Sequence, residues 1–410
     1  MNKRIYLDYN ATTPIGNEVL KTMFENKDCF ANPASAHFDG QNALNLLEKS
    51  REIIADFLCV KPHEIIFTSG GTESNNTVLR QTLDNKNLKK LIISSIEHSS
   101  ISEYAEFLKQ NGVEVIKIPV DCLGFIDIEK LEEICDENSL VSVIWANNEI
   151  GTIQDVEKIA QIVKKNGGLL HFDAVQAFGK VNISLEKINA DFLTFSSHKI
   201  YGPRGIGALF VRENTPFLPF IIGGGQENEF RSGTANQWLA SGFAKAVELR
   251  KSVIETEQTY LWNLRKGLIE SLENKIEGVS FNSPQEFGKT LCGTLSVTIN
   301  DIENEIITLQ LDNAGISISK GSACSSKKIR TSGVLSAVGL SQSAAARTIR
   351  VSFGKFTTKE EIEYFCEKLS EIVKNVREKR KGGHNSDEQQ NLHGTECQKN
   401  CPNCKKYSKK

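Results

Sequence analysis

The run Asp191-Phe-Leu-Thr-Phe-Ser-Ser-His-Lys199 places a lysine after an apolar stretch, two small hydroxyls and a histidine. A second apolar stretch, Ile206-Gly-Ala-Leu-Phe-Val211, follows a Gly-Pro turn. A lysine held between two buried strands is poorly solvated, and its amine loses proton affinity. A neutral amine is what Schiff-base chemistry with an aldehyde needs. Taken alone, Lys199 also reads as a lysine snorkelling from a strand end. Three other places could do chemistry. Thr68-Ser-Gly-Gly-Thr-Glu-Ser74 follows a strand and opens a helix, so glycine backbone and free amides at Gly70, Gly71 and Thr72 offer an anion cradle without a P-loop lysine. His98, after Glu97, could stack on an aromatic ligand, move protons or cap a helix. Asp173, in His171-Phe-Asp-Ala-Val-Gln176, ends an apolar strand. A buried carboxylate there needs a cationic partner, unless it caps the next turn.

The elements that must position these groups alternate. Candidate strands are Glu64–Thr68, Leu91–Ser94, Glu114–Ile118, Val141–Ala146, Leu169–Asp173, Phe192–Ser196 and Ala208–Val211. Helical patterns lie between many of them, such as Val156–Lys165 with Ile159, Ile162 and Val163 on one face. The expected fold class is α/β: a mostly parallel seven-stranded sheet with helices on both faces, plus a smaller α+β domain. Ligands of such sheets sit beyond the carboxyl ends of the strands, where the polar residues fall. A long helical region from about Gln237 to Lys275 should lead to the smaller unit, with strand-like Thr294–Ile299, helix-like Glu303–Asn313 and strand-like Thr348–Phe353. Thr358-Lys-Glu-Glu361 reads as a capping box opening a final helix. The N-terminal segment, through helical Ala43–Leu58, is expected to pack back on the smaller unit. The expected division is 15–260 for the large domain, 1–14 and 261–380 for the small one, and 381–410 for a polar, Cys-rich tail.

A formal net charge of −2 over 410 residues carries no polyanion signature, which argues against nucleic-acid binding. No apolar run is long enough to span a bilayer, and the start carries no signal-peptide core, so a cytoplasmic protein is expected. Its ten cysteines should then be thiols or ligands rather than disulfides. Cys29, Cys59, Cys122, Cys135, Cys292 and Cys366 lie in or beside apolar segments and read as small buried hydrophobes. Cys324 stands apart, in the polar run Ser319-Lys-Gly-Ser-Ala-Cys-Ser-Ser-Lys-Lys328. Lys320, Lys327 and Lys328 could lower its thiol pKa weakly through solvent.

These features occur in an order that resembles the fold-type I pyridoxal-phosphate (PLP) enzymes of the class V aminotransferase superfamily. Tyr6-Leu-Asp-Tyr-Asn-Ala-Thr-Thr-Pro14, Asn32-Pro-Ala-Ser, Asn147-Asn-Glu-Ile-Gly151, Arg231-Ser-Gly-Thr234 and Gly321-Ser-Ala-Cys-Ser-Ser326 are similar to the cysteine desulfurases of the NifS/IscS kind, in their long-loop group. The resemblance covers about residues 4 to 378. It implies Lys199 as the Schiff-base lysine, Asp173 as partner of the pyridine nitrogen and Gln176 as partner of the ring's phenolic oxygen. It implies Gly71, Thr72, Ser196 and His198 at the phosphate, joined by Thr234 from a second subunit of a homodimer. His98 would stack on the ring and shuttle protons. Asn148, also beside the cofactor, and Arg350 would bind the carboxylate of L-cysteine, which suits the bidentate fork of arginine. Cys324 would take the substrate sulfur as a persulfide, leaving alanine, and a mobile loop would carry it to an iron–sulfur scaffold protein of the NifU/IscU kind. In that transfer Cys324 could also ligate a cluster.

The tail lies outside the resemblance. Cys397, Cys401 and Cys404 form C-x3-C-x2-C with His393 close by, a set that could ligate zinc or an iron–sulfur cluster, relay sulfur, or be adventitious. Two other activities stay open: a selenocysteine lyase or another class V PLP reaction, and a noncatalytic sulfur or metal carrier acting through the tail.

Overall fold

The computed structural model describes residues 4–320 and 332–383. The chain opens with strand β1 (Ile5–Tyr6) and helices α1 (Asn17–Glu25) and α2 (Phe38–Leu58). Strands and helices then alternate. They are β2 (Ile65–Thr68), α3 (Gly71–Asp84), β3 (Lys90–Ser94), α4 (Ser99–Gln110), β4 (Glu114–Ile118) and α5 (Ile128–Ile134). After them come β5 (Ser139–Ile144), α6 (Val156–Lys165), β6 (Leu169–Asp173), β7 (Phe192–Ser196) and β8 (Gly207–Val211). Strands β2 to β8 form one seven-stranded sheet in the order β2-β8-β7-β6-β5-β3-β4. Neighbours are parallel except where β8 pairs with β2 and β7. The link from Ser196 to Gly207 is too short for a crossover helix, so β8 runs antiparallel. The expected mostly parallel seven-stranded sheet is what forms.

Alternation along each strand feeds two cores. Ile92, Val141, Leu170 and Leu193 face α1, α2, α6 and α7 (Gln237–Arg250), with Val19, Ile54, Ile159 and Phe243. Leu91, Ile93, Leu140 and Phe192 face α3 and α4, with Val78, Leu79, Ile101 and Leu108. Both faces are thus covered, as near-continuous apolar strands require.

A separate core follows. It joins α8 (Ile254–Lys275), β9 (Val279–Phe281), β10 (Thr294–Ile299), α9 (Asn304–Asn313) and β11 (Ile316–Ser317). It also includes β12 (Thr348–Ser352) and α12 (Lys359–Gly383), reached through α10 (Gly333–Ala337) and α11 (Gln342–Ala345). Strands β9, β10 and β12 make an antiparallel sheet, and β1 pairs parallel with β11. Leu264, Leu268 and Leu272 of α8 meet Leu295, Val297 and Phe365 there, each buried leucine stabilising by roughly 1.5–3 kcal/mol. The Thr358–Glu361 capping box is present in both directions: Thr358 N donates to Glu361 Oε2 (3.1 Å) and Glu361 N to Thr358 Oγ1 (3.3 Å).

Four expectations need correction. The helical region 237–275 is two helices, because α7 buries Ala240, Phe243 and Val247 in the sheet core while α8 buries its leucines in the other. Helix α2 begins at Phe38, where the His37 ring accepts from Gly40 N (3.2 Å), ahead of the expected Ala43. Only the first residues pack on the smaller unit; α1 and α2 put Val19, Met23, Leu47 and Leu58 into the sheet core. Finally, Cys135, Cys292 and Cys366 are buried thiols, but Cys29 is half-buried and Cys59 exposed. Cys122 is disulfide-bonded, against the expectation of thiols or ligands throughout; it lies in the polar turn organised by Asp121 Oδ1, which accepts from Leu123 N and Phe125 N, and not in a core.

Candidate functional site

The polar residues gather where β5, β6 and β7 end, as the sheet topology directs. Lys199 closes a single 3-10 turn, Ser197–Lys199, off the end of β7. Its Nζ donates to two carbonyls of the N-terminal segment, Asn10 O (2.6 Å) and Ala11 O (2.8 Å). Next to it Tyr201 holds a left-handed backbone, φ 68°, pinned by Tyr201 N to Thr13 Oγ1 (2.8 Å) and Gly16 N to Tyr201 O (2.9 Å). The N-terminal segment therefore braces the lysine turn from both sides.

Asp173 is 3% exposed at the end of β6. Oδ1 accepts from Val175 N (3.0 Å) and Oδ2 from Asn75 Nδ2 (2.8 Å). Asn75 also donates to Ser100 Oγ (2.8 Å), which meets His98 Nδ1 at 2.8 Å. A chain Asp173–Asn75–Ser100–His98 thus links α3 and α4 beneath the site. His98 caps α4 by accepting from Ser100 N (3.1 Å), so the capping alternative holds alongside any other role. Burial pushes its imidazole down; Asp173 opposes that and Lys199 adds to it, so both groups are near. Burial also pushes His198 down to about 4, with Lys199 contributing, and its Nδ1 meets Thr12 Oγ1 at 3.0 Å. Both shifts favour the neutral imidazole.

Helix α3 opens with Gly70 at φ 152°, and a Cβ there would meet nothing within 4 Å. A Cβ on Gly71 would lie 2.8 Å from Val175 Cγ2 and 3.9 Å from Ser196 Cβ. The first amides of α3 are therefore approachable on the side of Ser196, and Thr72 is exposed. Glu73 pairs with Arg231 (2.8 Å), which draws the Arg231–Thr234 segment to this end. Within one chain Thr234 lines a pocket with Ser69, Gly205 and Asn236. Gln176 Nε2 donates to Asn10 O (2.9 Å) and Oε1 accepts from Lys180 Nζ (2.6 Å).

Arg350 is buried, at 2% exposure, and is not a surface residue. One terminal nitrogen donates to Asp8 Oδ1 (2.7 Å) and the other to Asn148 O (3.0 Å), while Nε is buried with no partner among the described residues. Asn148 O also accepts from Asn10 Nδ2 (3.0 Å). The two described ends of the segment that carries Cys324 fasten here. Ser319 and Arg350 exchange backbone hydrogen bonds (2.8 and 3.2 Å), and Ser332 Oγ donates to Glu149 Oε2 (2.6 Å). Cys324, Lys327, Lys328, His393, Cys397, Cys401 and Cys404 lie outside the described residues. Lys320 forms an exposed ion pair with Glu305 (2.7 Å), so its charge already has a partner. Among the described residues no group of three or more His, Cys, Asp or Glu side chains could hold a metal, and no helix is long and apolar enough to cross a membrane.

Several contributors escape sequence reasoning: Asp8, Asn10, Asn75, Lys180 and the buried Glu97. Glu97 accepts from Ser94 Oγ and from Ile144 N (2.8 Å), and burial pushes it up to about 8. The Tyr6–Pro14 run signalled that Asp8 and Asn10 matter without saying for what.

Residues 5–365 match the family described as aminotransferase class-V. The chain is 38% identical over 382 residues to the cysteine desulfurase IscS of Dictyoglomus turgidum, covering 92% of this chain and 96% of that one. It is 40% identical over 376 residues to cysteine desulfurase IscS 1 of Archaeoglobus fulgidus, covering 91% and 97%. Among solved structures, a NifS-like protein superposes with a TM-score of 0.85 at 38% identity over 91% of this chain and all of that one. A structure described as SspA in complex with cysteine superposes with a TM-score of 0.76 at 36% identity, covering 86% and 100%.

Proposed function

The chain belongs to the class-V aminotransferase family, and from that premise we propose that it is a PLP-dependent cysteine desulfurase. It takes one sulfur atom from L-cysteine, releases alanine and holds the sulfur as a persulfide on Cys324. The observation that carries this reading is the fastening of both described ends of the Cys324 segment, through Ser319 and Ser332, to the cluster of Arg350, Asn148 and Glu149.

The residues present fit the cofactor. The α3 opening at Gly70 and Gly71 suits a phosphate, with Thr72, Ser196 and His198 beside it and Thr234 added from a second subunit. Asp173, buried and bonded among the described residues only through amide donors, suits a pyridine N–H, and Gln176 the phenolic oxygen. When bound, PLP supplies an aldehyde for Lys199 and an electron sink for the substrate's α-carbon. This chain's residues do the rest. Arg350, held by Asp8 and Asn148 O and with Nε lacking a partner among the described residues, would bind the substrate carboxylate, with Asn148 alongside. His98 moves a proton at Nε2, because Nδ1 is engaged with Ser100. The Cys324 thiolate attacks the substrate sulfur: an S–S bond forms, the C–S bond breaks, and the carbon is left to be protonated.

A homodimer completes the site in this reading. Large apolar side chains left exposed on the single chain, Phe30 at 83%, Phe38 at 77% and Ile222 at 85%, support it. The sulfur passes to an iron–sulfur scaffold protein in a cytoplasmic setting. The tail cysteines, Cys397, Cys401 and Cys404, are proposed as a zinc or cluster site; equal metal content in the full chain and a chain ending at Arg380 removes that part. The test of the main reading is Cys324→Ala. The variant should keep PLP absorption and lose alanine formation from L-cysteine. Undiminished alanine and sulfide would end the proposal.

A further inference from the structure

Lys180 stands behind Gln176, and nothing in the reaction above uses it. Its place is heavily built. Gly179, at φ 67°, turns the chain so that a Cβ there would lie 2.9 Å from Ile200 Cγ2. Arg250 Nε of α7 donates to Gly179 O (2.6 Å), and Gln258 Nε2 of α8 donates to Lys180 O (2.8 Å). The lysine lines a cavity between the two cores with Asn10, Tyr201, Arg250, Glu257 and Thr294. From there its Nζ donates to Gln176 Oε1 at 2.6 Å.

That contact settles which way the Gln176 amide faces. The side chain is 3% exposed, and a buried amide can flip unless its partners discriminate oxygen from nitrogen. A charged amine has no lone pair with which to accept, so Oε1 must face the Lys180 ammonium. Nε2 then faces Asn10 O, the same carbonyl that holds Lys199 Nζ. We propose that Lys180 is a positioning residue for the desulfurase reaction, fixing the Gln176 amide with its donor edge toward the cofactor's phenolic oxygen and placing a second positive charge behind the lysine that binds the cofactor.

A neutral amine still donates while Asn10 O can only accept, so the amide orientation persists across neutral pH. The charge is the part that varies. Burial pushes Lys180 down to about 7, with Lys199 and Arg250 adding to the shift, Glu257 opposing it and Arg350 adding again. His198 also feels Lys180, and Tyr9 and Cys292 are further titratable side chains on the cavity wall. By reciprocity the Lys180 charge disfavours a proton on the Lys199 nitrogen.

This inference rests on PLP binding at Lys199, and the test separates the two. Holoenzyme is titrated with pH while its near-ultraviolet and visible absorption is followed, and PLP dissociation constants are measured for each variant. Lys180→Met should raise the absorption midpoint by roughly one unit and weaken PLP. Lys180→Gln keeps a donor without charge, so its midpoint should rise with little loss of affinity. Lys180→Arg should leave both near those of the unaltered enzyme. In a Gln176→Ala background, Lys180→Met should cost no further affinity, because the amide it orients is gone. An unmoved midpoint in Lys180→Met and Lys180→Gln, or affinity losses that simply add in the double variant, would overturn the proposal. If the cofactor reading itself is wrong, Lys199→Ala will keep the absorption of the unaltered holoenzyme, whatever Lys180 does.

Discussion

Replacing Asp173 by Asn separates what the carboxylate does for the fold from what it does for the cofactor. Two donors, Val175 N and Asn75 Nδ2, point at its oxygens, and it is 3% exposed. An asparagine keeps one acceptor and turns an NH2 toward the other donor. That loses one hydrogen bond, worth about 1 kcal/mol. It also removes the cost of burying a charge, which offsets the loss. The apo protein should therefore melt within a few degrees of the unaltered chain. The cofactor is different. A hydrogen bond to a charged group contributes roughly 1.5–3 kcal/mol. Losing it raises the PLP dissociation constant roughly 10- to 150-fold. Alanine formation from L-cysteine should fall further, since an uncharged ring nitrogen is a poorer electron sink. Fluorescence titration of the apo variant with PLP gives the constant, and calorimetry gives the melting temperature. An unchanged constant would refute the assignment of Asp173 to the ring nitrogen. A collapsed apo fold would show that the carboxylate is structural.

Two further outcomes follow from buried charge. Glu97 ionises at about 8 when folded against an ordinary value of 4.5, so between those limits the folded chain holds a proton that the unfolded chain has released. Stability must then fall as pH rises through that window and level off above it. Glu97→Gln imitates the protonated form and should flatten the slope of melting temperature against pH between about 4.5 and 8; an unaltered slope would show that Glu97 is already charged in the fold. Arg51 and Glu227 form an ion pair at 2.6 Å with both side chains at most 5% exposed, and Glu227 also accepts from Phe67 N. Arg51→Met leaves that carboxylate buried and unpaired, so urea unfolding should show a loss of about 3–5 kcal/mol. A loss below about 1 kcal/mol, the range of exposed pairs, would contradict the burial argument.

Much of the sheet is legible in the sequence because a parallel strand buried on both faces is a short, nearly continuous apolar run, as Leu91–Ile93 is and as Leu140–Ile144 is but for Ser142. Asp173 and Lys199 stand out for the same reason: each is a charge ending such a run. Legibility fails where a residue's role depends on a distant partner. Asp8 pairs with Arg350, 342 positions away, and nothing local marks either as half of a pair. Asn10 holds Lys199 through its backbone carbonyl, which no side-chain pattern can announce. Lys180 follows Phe-Gly and looks like any lysine in a turn. The break between α7 and α8 contains no proline or glycine; it exists because two cores pull on successive stretches of one helical pattern, and that is a tertiary fact.

The brace on Lys199 also sets an order of events during synthesis. Ile5 pairs with Ile316, and Asn10 N donates to Ser352 Oγ, so the segment that holds the amine is itself held by residues made more than 300 positions later. A ribosome-bound chain can close the seven-stranded sheet while its opening residues still hang unanchored. Vitamin capture therefore belongs after translation has passed β12, and a chain stopped short of it should emerge with a formed sheet and no grip on the coenzyme.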